Sequence, residues 1–209
     1  MLPLLEPTEW NAAPAARLVT EPLGPEDTLR ITGHFRALSP EDRTLRFGQP
    51  QTDDAWIAQH MHELDFTCHT LLGITAPNRT LVALLSIQRF RSGRRPCGDL
   101  LFSVHPAWRG CGLASRLMRL ALGYARICGL TRLVASTAPG HDAMRAVLAA
   151  GGMQFVLEHG RWFGTLDVAP EGAPPAADPR DAAGGMRHSP ACFTSSSSSR
   201  KFRPTRAIS

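Results

Sequence analysis

The chain is organised around Asp99 to Ser115, which read D-L-L-F-S-V-H-P-A-W-R-G-C-G-L-A-S. Leu100, Leu101, Phe102 and Val104 make a short apolar run, the pattern of a buried strand. Pro106 has no N–H to give to a ladder, so the strand must close there. The turn Arg109-Gly110-Cys111-Gly112 follows, and Leu113, Leu117, Leu120 or Ala121, and Tyr124 then recur at helical spacing. A strand that ends in a glycine turn and opens a helix creates an anion site. The free N–H groups of the first helical turn and the positive end of the helix dipole face the same small volume. Glycine lets a phosphate approach the backbone where a side chain would block it. Many such turns are only connections, so this logic alone leaves both readings open.

The spacing narrows the choice. Arg109-x-x-Gly112-x-Ala114, preceded by V-H-P-A-W, resembles the pyrophosphate loop R/Q-x-x-G-x-G/A of the GNAT superfamily of N-acetyltransferases. It has neither the G-x-G-x-x-G spacing of a dinucleotide fold nor the Gly-Lys-Ser/Thr of a triphosphate loop. The resemblance extends over Ala16 to Val168. It includes S-P-E-D-R-T-L-R-F (Ser39 to Phe47) upstream and H-D-A-M (from His141) with G-G-M (from Gly151) downstream. The arrangement is most similar to the acetyltransferase domain of bacterial protein lysine acetyltransferases and their stand-alone relatives.

That resemblance implies acetyl-CoA or another acyl-CoA as cofactor and an amine as acceptor, with protein lysine the acceptor it favours. It implies that backbone groups of Arg109, Gly110, Cys111, Gly112, Leu113 and Ala114 cradle the pyrophosphate, with the Ser115 hydroxyl beside them. It also implies that the backbone of Phe102, Ser103 and Val104 pairs with the pantetheine like an added strand. Core packing is the plainer role of Phe102 and Val104, and the two are compatible because only main-chain groups are borrowed. His141 stands where relatives often carry an asparagine that meets the cofactor.

Acyl transfer to an amine needs a free lone pair, and an amine of pKa about 10 is mostly protonated at neutral pH. Asp99 falls where many relatives carry a glutamate, and is the candidate general base, acting through a water because its side chain is one methylene shorter. The plainer reading is that Asp99 ends a turn, Cys97-Gly98-Asp99. His105 is a second candidate base, or a cap for the strand before Pro106. Relatives with a dedicated acid often have tyrosine at the position of Leu148, and leucine cannot donate a proton. The single tyrosine, Tyr124, lies roughly 18 Å along its helix from the phosphate end. No tyrosine acid is expected, and a thiolate of pKa about 8.5 leaves without one.

Taken in order, the chain predicts a strand over Arg17–Pro22 and a helix over Pro25–Leu38. A second helix begins at Ser39, with Pro40 at its first position and Asp42 three residues on. A third spans Thr52–Leu64. Phe66–Thr75 and Leu81–Phe90 read as an antiparallel hairpin, and Arg91–Pro96 as the turn before the central strand. The central helix should end at Gly129. Leu130–Thr137 is a strand, Asp142–Ala150 a helix, and Met153–Glu158 with Arg161–Val168 a last hairpin. The fold class is therefore α+β, a mixed and mostly antiparallel central sheet of about seven strands flanked by helices.

Composition sets the limits. A hydrophobic fraction of 43% in 209 residues suits one core. We expect a loosely ordered segment 1–15, a domain over 16–168, and a disordered basic, serine-rich tail over 169–209. More than half of the net charge of +5 lies in that tail, which lacks the aromatic platforms of a nucleic-acid surface, so nucleic acid is not the expected partner. Lys201 is the only lysine, leaving no lysine nucleophile inside the domain. The 5 cysteines contain no C-x-x-C pair, and His60-x-His62 cannot place two ligands on one helix face. Neither a disulfide framework nor a metal is expected. Without an apolar run long enough for a membrane span, and with acidic residues in Met1–Trp10, the expected compartment is the cytoplasm. Two alternatives to a protein acetyltransferase stay open, a non-catalytic acyl-CoA-binding regulatory module and a small-molecule amine acetyltransferase.

Overall fold

The structure, a computed structural model, describes residues 18–49 and 52–169. The expectations of a loose segment 1–15 and of a disordered tail over 169–209 fall outside the described residues, apart from Ala169.

Strand β1 (Val19–Leu23) leads into a 3-10 turn, Pro25–Asp27, and then α1 (Thr28–Arg36). The single helix predicted over Pro25–Leu38 is thus divided. The Asp27 carboxylate accepts the Gly24 N–H at 3.1 Å and pairs with Arg30 at 2.6 Å, which tightens the first turn. Helix α2 (Pro40–Phe47) starts where Ser39 placed it, with the Ser39 Oγ accepting the Asp42 N–H at 3.2 Å. Helix α3 (Asp54–Glu63) is capped by Asp53, which accepts the Trp56 N–H at 2.8 Å. Strand β2 (His69–Thr75) begins later than predicted, because Asp65 gathers the Thr67 and His69 N–H groups into a local turn.

Strands β3 (Leu81–Ser92) and β4 (Arg95–Val104) correct the turn predicted over Arg91–Pro96. Arg91 pairs with Pro96 and Ser92 with Arg95, leaving Gly93 and Arg94 as a two-residue hairpin loop. Gly93, at φ 60, supplies the left-handed conformation such a loop needs. A second 3-10 turn, Pro106–Trp108, precedes α4 (Leu113–Ile127). Gly129 at φ 66 ends that helix, and the Leu130 N–H still reaches Ala125 O, so β5 (Arg132–Thr137) starts two residues later than predicted. Helix α5 (Asp142–Ala150) and the hairpin β6 (Gln154–Glu158) and β7 (Arg161–Asp167) complete the chain.

The sheet has seven strands in the order β1-β2-β3-β4-β5-β7-β6, antiparallel except between β4 and β5. This is the mixed α+β architecture the sequence predicts. One face carries Leu71 and Leu84, covered by Ile31, Phe35, Leu38, Ile57 and Met61 of the α1–α3 region. The other carries Leu85, Ile87, Leu100, Phe102 and Leu133 against Leu117, Met118 and Ala121 of α4 and Leu148 of α5. Ile31, Ile57, Leu84, Leu85, Leu117 and Leu133 are all fully buried, and burial contributes about 1.5–3 kcal/mol for each such side chain.

The parallel pair is what positions the site. β4 and β5 pair only at Cys97–Arg132, Gly98–Leu133 and Asp99–Val134, and then diverge. Gly98 allows the close approach that starts the pair. A Cβ there would meet Ile87, Leu130 and Leu133 side-chain atoms at 3.0–3.1 Å.

Candidate active site

Beyond Asp99 the divergence opens a cleft of about 440 Å³. One wall is Leu100 to Val104 of β4 and the other is Ala135 to Thr137 of β5. Met144, Val147 and Leu148 of α5 close one side, and Leu38, Asp42, Leu45 and Arg46 at α2 close the other. The glycine turn and the start of α4 form one end, where Arg109, Gly110, Gly112, Leu113, Ala114 and Ser115 all line the cleft.

The turn leaves its backbone open toward the cleft. Gly110 and Gly112 sit at φ 75 and 73, and an added Cβ at either would meet nothing within 4 Å. Gly112 is the N-cap of α4, and no side chain caps that helix. The first bond of the helix runs from the Arg116 N–H to Gly112 O, which leaves the N–H groups of Leu113, Ala114 and Ser115 for a ligand. The Arg109 guanidinium pairs with Asp42 of α2 across the cleft. His141, the N-cap residue of α5, lines the same cleft. Burial holds its imidazole below the usual range, with the Asp42 carboxylate opposing and the Arg109 charge adding to the shift. The Thr137 Oγ1 is sealed from solvent without a partner among the described residues, and it too lines the cleft. These features fit the phosphates and the amide-bearing arm of an acyl-CoA.

On β4 the side chains alternate between faces. Phe102 packs into the core beside α4, whereas Ser103 turns to α1 and meets the His34 Nε2 at 2.8 Å. His34 Nδ1 lies 2.9 Å from Leu81 O. A carbonyl only accepts, so Nδ1 carries the proton and the Ser103 hydroxyl donates to Nε2. His34 is 3% exposed, and burial pushes its pKa down to about 4. In the unfolded chain the ordinary value returns, so unfolding takes up a proton between those limits. Stability should therefore fall as pH drops from about 6.5 to about 4, by on the order of 3 kcal/mol from this residue. Urea denaturation at pH 7 and pH 4.5 tests it, and His34→Gln should show a smaller pH difference than wild type. Equal differences would refute the assignment.

Asp99 is not itself among the residues lining the cleft; it precedes the lining residue Leu100 on β4, away from the glycine turn. It is half-buried, and burial raises its carboxyl to about 6 against the opposing effects of the Arg46 charge and the Leu100 N–H. A carboxylate poised near neutrality beside a cleft can accept a proton from an incoming amine.

Other candidates lie elsewhere. Cys111 is exposed and its thiol donates to Arg109 O, outside the lining residues. The His105 Nδ1 accepts the Ala107 N–H at 3.2 Å, capping the 3-10 turn. The Tyr124 hydroxyl lies 2.7 Å from Thr70 Oγ1 on β2, away from the lining residues. Among the described residues no group of three histidine, cysteine or acidic side chains is placed to hold a metal. In the same residues no helix is long and apolar enough to cross a membrane. Sequence reasoning missed the α2 wall. Its signal was available in the spacing of Asp42, Leu45 and Arg46, which falls on one face of α2, with Leu38 two residues before the helix.

The sequence profile of the family described as "Acetyltransferase (GNAT) family" matches residues 35–152, more than half of the chain. Among curated proteins no sequence matches. Several solved structures share the fold. The GNAT domain of S. lividans PAT is 23% identical, with TM-score 0.61 over 71% of this chain and 89% of that one. A GNAT superfamily phosphinothricin acetyltransferase from Sinorhizobium meliloti, in complex with AcCoA, is 15% identical, with TM-score 0.58 over 76% of this chain and 93% of that one. Spermidine N-acetyltransferase from Vibrio cholerae, in complex with CoA and spermine, is 14% identical, with TM-score 0.57 over 72% and 94% of the respective chains.

Proposed function

The chain belongs to the acetyltransferase (GNAT) family, and from that premise we propose that residues 16–168 transfer an acetyl group from acetyl-CoA directly to an amine, with a protein lysine as acceptor. Acetyl-CoA supplies the activated acyl group. The N–H groups of Leu113, Ala114 and Ser115, the glycines of the turn and His141 hold the phosphate-bearing end. The backbone of Phe102, Ser103 and Val104 orients the arm along β4. Asp99 takes the proton from the amine, directly or through a water, and frees its lone pair. Both reactants held side by side contribute much of the acceleration. Leu148 offers no proton, and a thiol of pKa about 8.5 is an acceptable leaving group without one.

The observation that carries this reading is the half-buried carboxylate of Asp99, one residue before the cleft-lining Leu100, beside a cleft whose other end is an uncapped, glycine-lined helix start. The lysine acceptor rests on the resemblance of Ser39–Phe47, the stretch from His141 and the stretch from Gly151 to bacterial protein lysine acetyltransferases. The fold's neighbours include enzymes named for spermidine and for phosphinothricin, so the acceptor needs its own test. Mass spectrometry of lysine peptides, spermidine and small amines incubated with acetyl-CoA should show acetylated lysine in the peptides only when the protein is present. Modification of small amines alone would move the acceptor to that class. Binding of acetyl-CoA with no transfer to any amine would make the protein a sensor.

A further inference from the structure

We propose that Arg46 recognises a carboxylate in the reacting complex, carried either by the acceptor amine or by the far end of a dicarboxylic acyl group. The inference rests on the acyl-transfer reading and concerns the chemistry at the transfer end of the same cleft.

Arg46 lies on α2 and lines the cleft with Leu38, Leu45 and Leu100. Its guanidinium carbon sits 5.6 Å from the Phe35 ring centre and 5.7 Å from that of Phe47. The Nε is sealed from solvent and has no hydrogen-bond partner among the described residues. Other arginines of this region have their terminal nitrogens held by carboxylates or carbonyls, although the Arg30 Nε is also sealed and unpartnered among the described residues. Arg43 gives its Nε to Phe35 O and Leu38 O and its terminal nitrogens to Thr52 O and Arg36 O. Arg30 pairs with Glu21 and Asp27, and Arg109 with Asp42. Arg46 takes part in no ion pair among the described residues, and the Asp99 carboxylate is close enough to be felt but not in contact.

A half-buried guanidinium whose sealed Nε lacks an acceptor is unfavourable, and a carboxylate is the group its planar fork matches with two parallel bonds. The position identifies where that carboxylate belongs. The phosphate-binding turn is at the other end of the cleft, whereas Arg46 neighbours Leu100 and Asp99, where acyl group and amine must meet. A polycationic acceptor would bring like charge against it. For a protein acceptor the carboxylate is an acidic side chain beside the lysine. For a dicarboxylic donor it is the free end of the acyl chain.

Matched pairs separate the sources. On the acceptor side, transfer from acetyl-CoA is compared for Nα-acetyl-lysine against its methylamide, and for a Glu-Lys peptide against a Gln-Lys peptide. On the donor side, dissociation constants and turnover are compared for succinyl-CoA against acetyl-CoA. Wild type should favour the carboxylate-bearing member in one of these arms by roughly 10- to 100-fold, the range for a charge-assisted pair. Arg46→Gln should remove that ratio, and Arg46→Lys should keep part of it, the melting curves with CoA showing that both variants fold. A wild type that discriminates in neither arm overturns the proposal, as does a ratio that survives in Arg46→Gln. If no amine is acetylated, the donor dissociation constants still decide between these outcomes. Failure to bind any acyl-CoA would instead sink the acyl-transfer reading itself.

Discussion

Asp99→Asn is expected to lower turnover by roughly 10²–10⁴-fold, the usual contribution of a positioned base, while acetyl-CoA affinity holds. Asparagine keeps the size and polarity of the side chain and removes only the proton acceptor. Asp99 sits on β4 between Gln88 and Val134, a position that asparagine can occupy without disturbing the ladder. The pH profile carries the sign of the effect. A base must be unprotonated, and burial raises the Asp99 carboxyl to about 6, so wild-type turnover should fall as pH drops through that value. The variant should lose this limb, and its deficit should shrink at high pH as the amine deprotonates unaided. Steady-state rates from pH 5 to 9 with one amine test this. An active Asp99→Asn enzyme with an unchanged profile would remove the assignment, and a base would have to be sought at His105 or in a water held by backbone carbonyls.

Gly112→Glu should abolish the stabilisation that acetyl-CoA gives. A ligand that binds only the folded state adds about 2.7 kcal/mol at a hundredfold excess over its dissociation constant. Wild type should therefore melt several degrees higher in its presence. In the variant a side chain and a negative charge would stand beside the uncapped N–H groups of α4, the place proposed for the phosphates. Gly112 lies at φ 73, so any side chain also introduces left-handed strain, about 1 kcal/mol. Gly112→Ala separates the two effects. Its Cβ would meet nothing within 4 Å, so the alanine variant should be less stable yet still respond to acetyl-CoA. Equal melting gains in wild type and Gly112→Glu would rule out this turn as the phosphate site.

Most elements were legible because their signals are local. Ser39 with Pro40 placed α2, Gly129 ended α4, and Asp142 to Ala150 is the helix the residues predict. Local signals misled only where a second local interaction competed. Gly93 allowed a loop of two residues inside Arg91–Pro96, and Asp65 delayed β2 by folding the chain onto itself first. The glycine turn and the uncapped helix start were also readable, since all their parts lie within one stretch.

The sequence by itself determined the order of elements, the glycine-lined start of α4 and the short list of groups able to accept a proton. Only the tertiary structure decided that β4 and β5 separate after Asp99, because strand pairing depends on what packs on either side of Gly98. It also decided that Arg46 reaches the field of Asp99 and that His34 bonds to Ser103, partners on α1, α2 and β4 that lie far apart in the chain. Their charge states follow from the same burial. A carboxyl raised to about 6 and an imidazole lowered to about 4 are properties of desolvation, and desolvation exists only once the helices α1 to α3 have closed over their face of the sheet.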